Sequence, residues 1–258
     1  MGKNKLKKFA EMAAFDHVFQ ADFDDLREGG FVNRGRWGRA FFGNDNPIVL
    51  ELGCGKGEYT VGLAKLFPHK NFIGIDIKGA RMHTGARQAM DEDLRNVAFV
   101  RTRIEFIERF FAPDEVDEVW ITFPDPQMKK ARKRLVGTLM LTRYMQFLKS
   151  GGLVHLKTDS RFLLTYVQHL LQRNGIEPAV MLDDLYHSDF DDPILGIRTF
   201  YESKWIDYGL SIKYVSFGLE HRSLEEPDVE IEFDNYHSAG RGVGVRTRTA
   251  RQTDQKQD

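Results

Sequence analysis

A single cysteine, Cys54, stands among 258 residues, which excludes an internal disulfide and any cysteine-rich zinc site. The eight histidines are scattered without the short ligand spacings of a metal centre, so no metal is expected. No apolar run approaches the roughly 20 residues of a membrane span. The lysines at positions 3, 5, 7 and 8 are not followed by the apolar core of a signal peptide, and a cytoplasmic protein is expected. The net charge is only −1, so the chain as a whole is not a polyelectrolyte binder. Any nucleic-acid contact must come from local patches. No internal repeat is visible, and nothing in the composition chooses between a monomer and a homodimer.

Apolar content and aromatics are plentiful, with 20 phenylalanines. A chain of this length buries about 70–75% of its unfolded surface and needs no covalent staples. Residues 1–46 read as an N-terminal extension. It begins with basic and apolar residues alternating at helical spacing and continues into an irregular stretch that clusters Arg34, Arg36, Trp37 and Arg39. Arginines beside an aromatic can pair with phosphate and stack on bases. Residues 47–219 alternate short apolar runs with helical patterns. The runs are 47–52, 72–76, 97–100, 117–122, 153–156 and 211–217, an α/β arrangement with a mostly parallel sheet and helices on both faces. From residue 220 the apolar content collapses, and 220–258 reads as a polar, disordered tail.

Glu51-Leu-Gly-Cys-Gly-Lys-Gly57 joins the first run to a helical pattern. A phosphate-cradling P-loop needs four residues between its glycines and then Lys-Ser/Thr, but Lys56 is followed by Gly57. A dinucleotide fingerprint needs glycine or alanine three positions past its second glycine, where this chain has Glu58. The tight spacing of Gly53, Gly55 and Gly57 after an acid fits a smaller ligand without pyrophosphate, such as S-adenosylmethionine, whose cationic groups favour nearby carboxylates. Asp76 ends the next strand, where doubly wound folds catch ribose hydroxyls. Cys54 reads as a small filler.

The second notable stretch is Ile121-Thr-Phe-Pro-Asp-Pro-Gln-Met128 with the basic run Lys129–Arg134 behind it. Pro124 and Pro126 push the residues before them toward extended backbone and stiffen Asp125. A fixed carboxylate at a strand end, followed by clustered cations, suits a polar, anionic partner. The same pattern also describes a strand end followed by a solvated helix start.

Taken with Leu156-Lys-Thr-Asp159 and Thr199-Phe-Tyr-Glu202, these segments resemble the bacterial tRNA (guanine-N7-)-methyltransferases from about Pro47 to Leu219. The glycine loop resembles motif I of class I methyltransferases in general; the later segments, in this order, are more specific. The resemblance implies a Rossmann-like, seven-stranded sheet and S-adenosylmethionine as methyl donor. It further implies methylation of guanine N7 at position 46 of the tRNA variable loop. By position, Glu51, Gly53, Gly55, Gly57, Asp76 and Arg103 would bind the cofactor. Asp125 would stand between cofactor and base as the catalytic carboxylate, and Lys129, Asp159, Thr199, Tyr201 and Glu202 would line the tRNA side. The chain departs from the family at Asp125-Pro-Gln-Met128, where Asp-Pro-Trp-Pro is usual, and its basic run is about two residues shorter. Arg101-Thr-Arg103 also replaces an acid common near the adenine.

N7 of guanine carries a lone pair and no proton, so its methylation needs alignment and charge balance and no general base. Asp159 or Ser160 could alternatively cap the helix that begins there. Thr199 and Glu202 have the spacing of a capping box, against which stands the β-rich run that follows them. Two other functions fit parts of the pattern: a methyltransferase acting on a protein or small molecule, and a non-catalytic RNA-binding relative.

Overall fold

A computed structural model describes residues 3–21, 26 and 30–234. The extension contributes helix α1 (Lys3–Met12) and strand β1 (Val18–Gln20). The main unit then runs β2 (Ile48–Leu52), α2 (Glu58–Leu66), β3 (Asn71–Asp76), α3 (Gly79–Asp91), β4 (Val97–Arg101) and β5 (Val116–Thr122). It continues through α4 (Thr138–Tyr144), β6 (Leu148–Thr158), α5 (Arg161–Arg173), β7 (Pro178–Leu182), α6 (Phe200–Asp207) and β8 (Lys213–Leu219). Every residue of β2 is buried, as the unbroken apolar run of a central parallel strand requires. Successive side chains point to opposite faces. Leu50, Ile73, Val119 and Leu156 therefore pack with α4 and α5 on one side. Val49, Phe72, Phe99 and Trp120 pack with α2 and α3 on the other.

The strand order is β1-β4-β3-β2-β5-β6-β8-β7. All neighbours from β1 to β6 are parallel, and β8 runs antiparallel to both β6 and β7. The chain winds outward from β2 through β3 to β4, then returns to place β5 on the other side of β2. The β2/β5 boundary is therefore the topological switch point, and ligands of such sheets bind at the carboxyl ends of the strands there. Both segments singled out in the sequence leave the sheet at this boundary, the glycine loop after Leu52 and the Asp125 loop after Thr122.

Four expectations are revised. The sheet has eight strands in place of seven, because the extension adds β1 beside β4 with Val18 opposite Phe99. Its helix α1 docks on α3, where Glu11 meets His83 at 2.6 Å and Arg87 at 3.1 Å. Trp37, grouped in the sequence with arginines that can touch RNA, is fully buried and its indole N–H donates to the Phe110 carbonyl at 2.9 Å. The run after Thr199, expected to be β-rich, begins with α6. Finally, residues 220–234, expected to be disordered, lie against α5 through hydrogen bonds that continue as far as Asp234. The rest of that segment, 235–258, lies outside the described residues.

Candidate active site

Gly53, Gly55 and Gly57 all have positive φ, at 82°, 57° and 74°, a geometry other residues enter at a cost. At Gly57 a side chain is also excluded by space: a Cβ there would meet the Phe99 ring at 2.7 Å. The loop is tied to the end of β3, since Gly53 and Cys54 donate to the Ile75 carbonyl at 2.8 and 3.0 Å. Asp76 closes it from the same side, accepting from the Gly55 N–H at 2.9 Å and from the Lys78 N–H at 2.7 Å. Each of its oxygens keeps a lone pair for another donor. A Cβ on Gly53 would meet nothing within 4 Å, so the loop faces open space there. Cys54 is buried, and burial pushes its thiol up, which suits a filler and not a nucleophile.

Glu51 lies beneath this loop with only 3% of its surface exposed. One carboxylate oxygen accepts from the Thr60 N–H at 2.8 Å and from the Thr60 hydroxyl. The other accepts from the Thr122 hydroxyl at 2.7 Å. Glu51 thus fastens the start of α2 and the end of β5 to the glycine loop. Burial raises its pKa to about 7, more than the threonine hydrogen bonds lower it.

The loop after β5 holds Asp125 at the surface. Phe123 and Gln127 flank it with φ of 50° and 48°, left-handed conformations that cost a non-glycine residue on the order of 1–3 kcal/mol each. Two hydrogen bonds hold this shape. The Gln127 N–H donates to the Asp125 carboxylate at 3.1 Å, and the Phe123 N–H donates to the Lys157 carbonyl at 2.8 Å. Lys129 is exposed just beyond, with Lys130, Arg132 and Lys133. Arg134, the last cation of the run, is buried. It donates to the Met128 carbonyl at 3.0 Å and lies over the Tyr166 ring at 4.2 Å.

Next along the carboxyl edge comes the end of β6. Asp159 is buried, and its carbonyl accepts from the Lys213 ammonium at 3.1 Å. The cap of α5 is Ser160, whose hydroxyl accepts from the Leu163 N–H at 2.9 Å, so the Asp159 side chain does not serve as that cap. Lys157, two residues earlier, has no exposed side-chain surface and lies 2.6 Å from Glu202, which has none either. Tyr186 donates to the same Glu202 oxygen at 2.6 Å.

Thr199 and Glu202 form a complete capping box at the start of α6, each side chain accepting from the other's backbone N–H at 3.2 and 3.3 Å. Their side chains are therefore committed inside the protein. The residues of this segment that reach outward are Phe200 and Tyr201. The Lys56 ammonium lies 4.0 Å from the Phe200 ring centre, the Arg81 guanidinium lies 5.8 Å from that of Tyr201, and the Phe200 N–H donates to Glu58 at 3.2 Å. Glycine loop and α6 are thereby joined. Arg103, by contrast, stands beyond the end of β4 with a solvent-facing side chain 3.9 Å from Glu105. Thr60, Thr122 and Lys157 are not among the sequence-predicted site residues, although Thr122 and Lys157 lie within the segments quoted for the resemblance. Only Lys157 carried a signal, as a cation closing an apolar strand run.

Among the described residues no group of histidine, cysteine and acidic side chains could hold a metal ion. No helix among them is long and apolar enough to cross a membrane.

Residues 45–215 match the family described as putative methyltransferase. The tRNA (guanine-N(7)-)-methyltransferase of Bacteroides fragilis (strain YCH46) is 56% identical over 93% of this chain and 96% of its own length. That of Porphyromonas gingivalis (strain ATCC BAA-308 / W83) is 58% identical over 89% of this chain and 96% of its own. Among solved structures, a 30S ribosomal A1408 methyltransferase from an uncultured bacterium superposes with a TM-score of 0.50. It is 16% identical and covers 68% of this chain and 89% of its own, a likeness of fold.

Proposed function

The chain belongs to the tRNA (guanine-N7-)-methyltransferase family, and from that membership we propose how its residues carry the reaction. It transfers the methyl group of S-adenosylmethionine to N7 of a guanine in tRNA, in the cytoplasm. The target is the variable-loop guanine at position 46. The observation that carries this reading is the convergence of the family's segments on the switch point. Thr122 at the root of the Asp125 loop bonds Glu51 beneath the glycine loop, and Lys157 beside that root bonds Glu202 at the head of α6.

The donor set suits the cofactor. Gly53 faces open space, Asp76 keeps lone pairs for ribose hydroxyls, and carboxylates favour a cationic ligand where they would repel a phosphate. When bound, S-adenosylmethionine supplies an electrophilic methyl group on a sulfonium. Gly53, Gly55, Gly57 and Asp76 would hold it, Glu51 stiffens the loop from below, and Arg103 would be the side chain nearest its adenine. The chain's task is then to aim N7 at that methyl and to keep water away. No proton leaves N7, and the guanine ring becomes cationic. Asp125, fixed between two left-handed residues, balances that charge and can accept from the guanine N1–H and amino group. Asp159 and Tyr201 border the base, and Thr199 and Glu202 hold that segment in place from inside the protein. The exposed cations from Lys129 to Lys133 attract phosphate in a salt-dependent way.

The decisive experiment maps methylated guanine in tRNA from cells with and without this protein, alongside methyl transfer by the purified protein to unmodified tRNA. Loss of 7-methylguanosine at position 46 is expected. Transfer to protein or small molecules with no incorporation into tRNA would overturn the reading.

A further inference from the structure

Beyond β8 the chain continues as a strap, residues 220–234, that holds seven acids and one arginine. Its composition is that of a solvated tail. Its contacts are not. It starts at the amino end of β6, where Ser150 donates to Glu220 at 2.5 Å and His221 meets the Leu148 carbonyl at 2.8 Å. It then passes the end of α5, where the Asn174 amide and the Glu225 backbone exchange hydrogen bonds of 2.8 and 2.9 Å. From there it climbs along α5 toward the carboxyl edge of the sheet, the edge that carries the candidate site.

Two of its acids end behind two substrate-side loops. Glu226 accepts from the Tyr166 hydroxyl at 2.8 Å and the Thr138 hydroxyl at 2.6 Å, and lies 3.9 Å from Arg134. Arg134 in turn ties off the basic loop by its hydrogen bond to the Met128 carbonyl. Asp234 accepts from the Ser160 hydroxyl at 2.5 Å and the Phe162 N–H at 3.0 Å, directly after Asp159. Phe233 packs edge-on against Phe162, 5.6 Å between ring centres.

We infer that Glu226 and Asp234 are positioning residues for tRNA methylation. Glu226 sets the basic loop through Arg134, and Asp234 sets Asp159 through Ser160. Neither touches the cofactor side, since Glu51, the glycine loop and Asp76 hang from β2 and β3. The inference rests on the tRNA methyltransferase reading above. It explains why an acidic strap accompanies a fold whose sheet is complete without it. Glu226 and Asp234 are spent on the donors behind the substrate loops, where water would otherwise compete.

The test uses the full chain and its Glu226→Ala, Asp234→Ala, Glu226→Gln and Asp234→Asn variants. It measures kcat and KM for tRNA, cofactor affinity by calorimetry, and the thermal midpoint. Glu226→Ala is expected to raise KM for tRNA about fivefold or more with kcat within about twofold, and Asp234→Ala to lower kcat/KM for tRNA about tenfold. Cofactor affinity stays within about twofold of the parent in both, and Asp234→Asn, which keeps the acceptor for Phe162, recovers most of the loss. If both alanine variants methylate tRNA with parental kcat/KM, or if cofactor affinity falls in step with tRNA turnover, the inference fails. Should either alanine variant not fold, Glu226→Gln decides, since it removes the charge facing Arg134, and an unchanged KM for tRNA in it counts against the inference. A parent protein that transfers no methyl to tRNA overturns the functional reading itself, a result separable from parental activity in the variants.

Discussion

Lys157 and Glu202 lie 2.6 Å apart with no side-chain surface exposed on either, one at the end of β6 and the other in the first turn of α6. Burial lowers the Lys157 pKa, and the Glu202 carboxylate works against that shift. The pair links segments 45 positions apart and brings the head of α6 beside the β6 edge. Because Lys157 also accepts the Phe123 N–H through its carbonyl, it joins three site segments at one residue.

Removing one member of such a pair strands the other. Lys157→Met is expected to destabilise the fold by about 3–5 kcal/mol, because Glu202 is left charged or must take up a proton. The double variant Lys157→Met with Glu202→Leu should recover most of that stability, since a buried pair replaced by apolar residues of similar volume is often neutral. Urea unfolding midpoints of the two single variants and the double variant measure this coupling directly. Additive losses would show that the pair does not act as a unit.

Asp125 is held by backbone geometry, and under the proposed function it would contribute charge where the guanine ring becomes cationic. Asp125→Ala should lower kcat by about 10²–10³, the range found when one preorganised electrostatic group is removed. Cofactor affinity should change much less, because the glycine loop and Asp76 do not depend on this side chain. Asp125→Asn keeps an acceptor and the turn to Gln127 while losing the charge, so it separates charge balance from base recognition. Turnover near the parental value in Asp125→Ala would reject the assignment.

Glu51 makes a pH prediction. Its carboxyl is raised to about 7 in the folded chain from an ordinary value of 4.5. The folded state therefore binds more protons than the unfolded state between those values. Stability from this group is full below about pH 4.5 and declines as pH rises through about 7, by on the order of 3 kcal/mol. Glu51→Gln should flatten that part of the stability profile. A cationic ligand favours the ionised carboxylate, so cofactor affinity should rise over the same interval in the parent and not in the variant. Thermal midpoints and calorimetric affinities at pH 5.5, 6.5 and 7.5 check both slopes.

The central strands are legible in the sequence because burial on both faces writes an unbroken apolar run, and the glycine loop is legible because three positive-φ positions demand glycine. Other elements leave weaker marks. β1 has three residues, and β7 opens on Pro178, which removes a backbone donor from an edge strand. Phe200, Tyr201 and Trp205 favour strands intrinsically, so only the Thr199–Glu202 spacing announces α6, and packing against α2 through Phe200 and Glu58 overrides the local preference. Glu51, Thr199 and Glu202 are identified as site residues by resemblance, yet their side chains are turned inward to Thr60, Thr122, one another and Lys157. Burial of that kind depends on which strands become neighbours, and no single segment of sequence contains it.

Lys133 and Arg134 show the same limit at two adjacent positions of one basic run. Lys133 is exposed, and its charge is available to a polyanion. Arg134 stacks on Tyr166 and Phe162, bonds the Met128 carbonyl and faces Glu226. Lys133→Ala should leave the thermal midpoint unchanged. It should weaken tRNA binding across sequences and reduce the slope of log affinity against log salt by about 1. Arg134→Ala should instead destabilise the fold by about 1–3 kcal/mol, from lost stacking and an unpaired carbonyl, before any phosphate contact is considered. Filter binding at four salt concentrations and thermal denaturation of both variants distinguish the two roles. Equal salt slopes for the parent and Lys133→Ala would remove this cation from the tRNA footprint. A thermal midpoint unchanged in Arg134→Ala would mean that its stacked, hydrogen-bonded position contributes nothing to the fold.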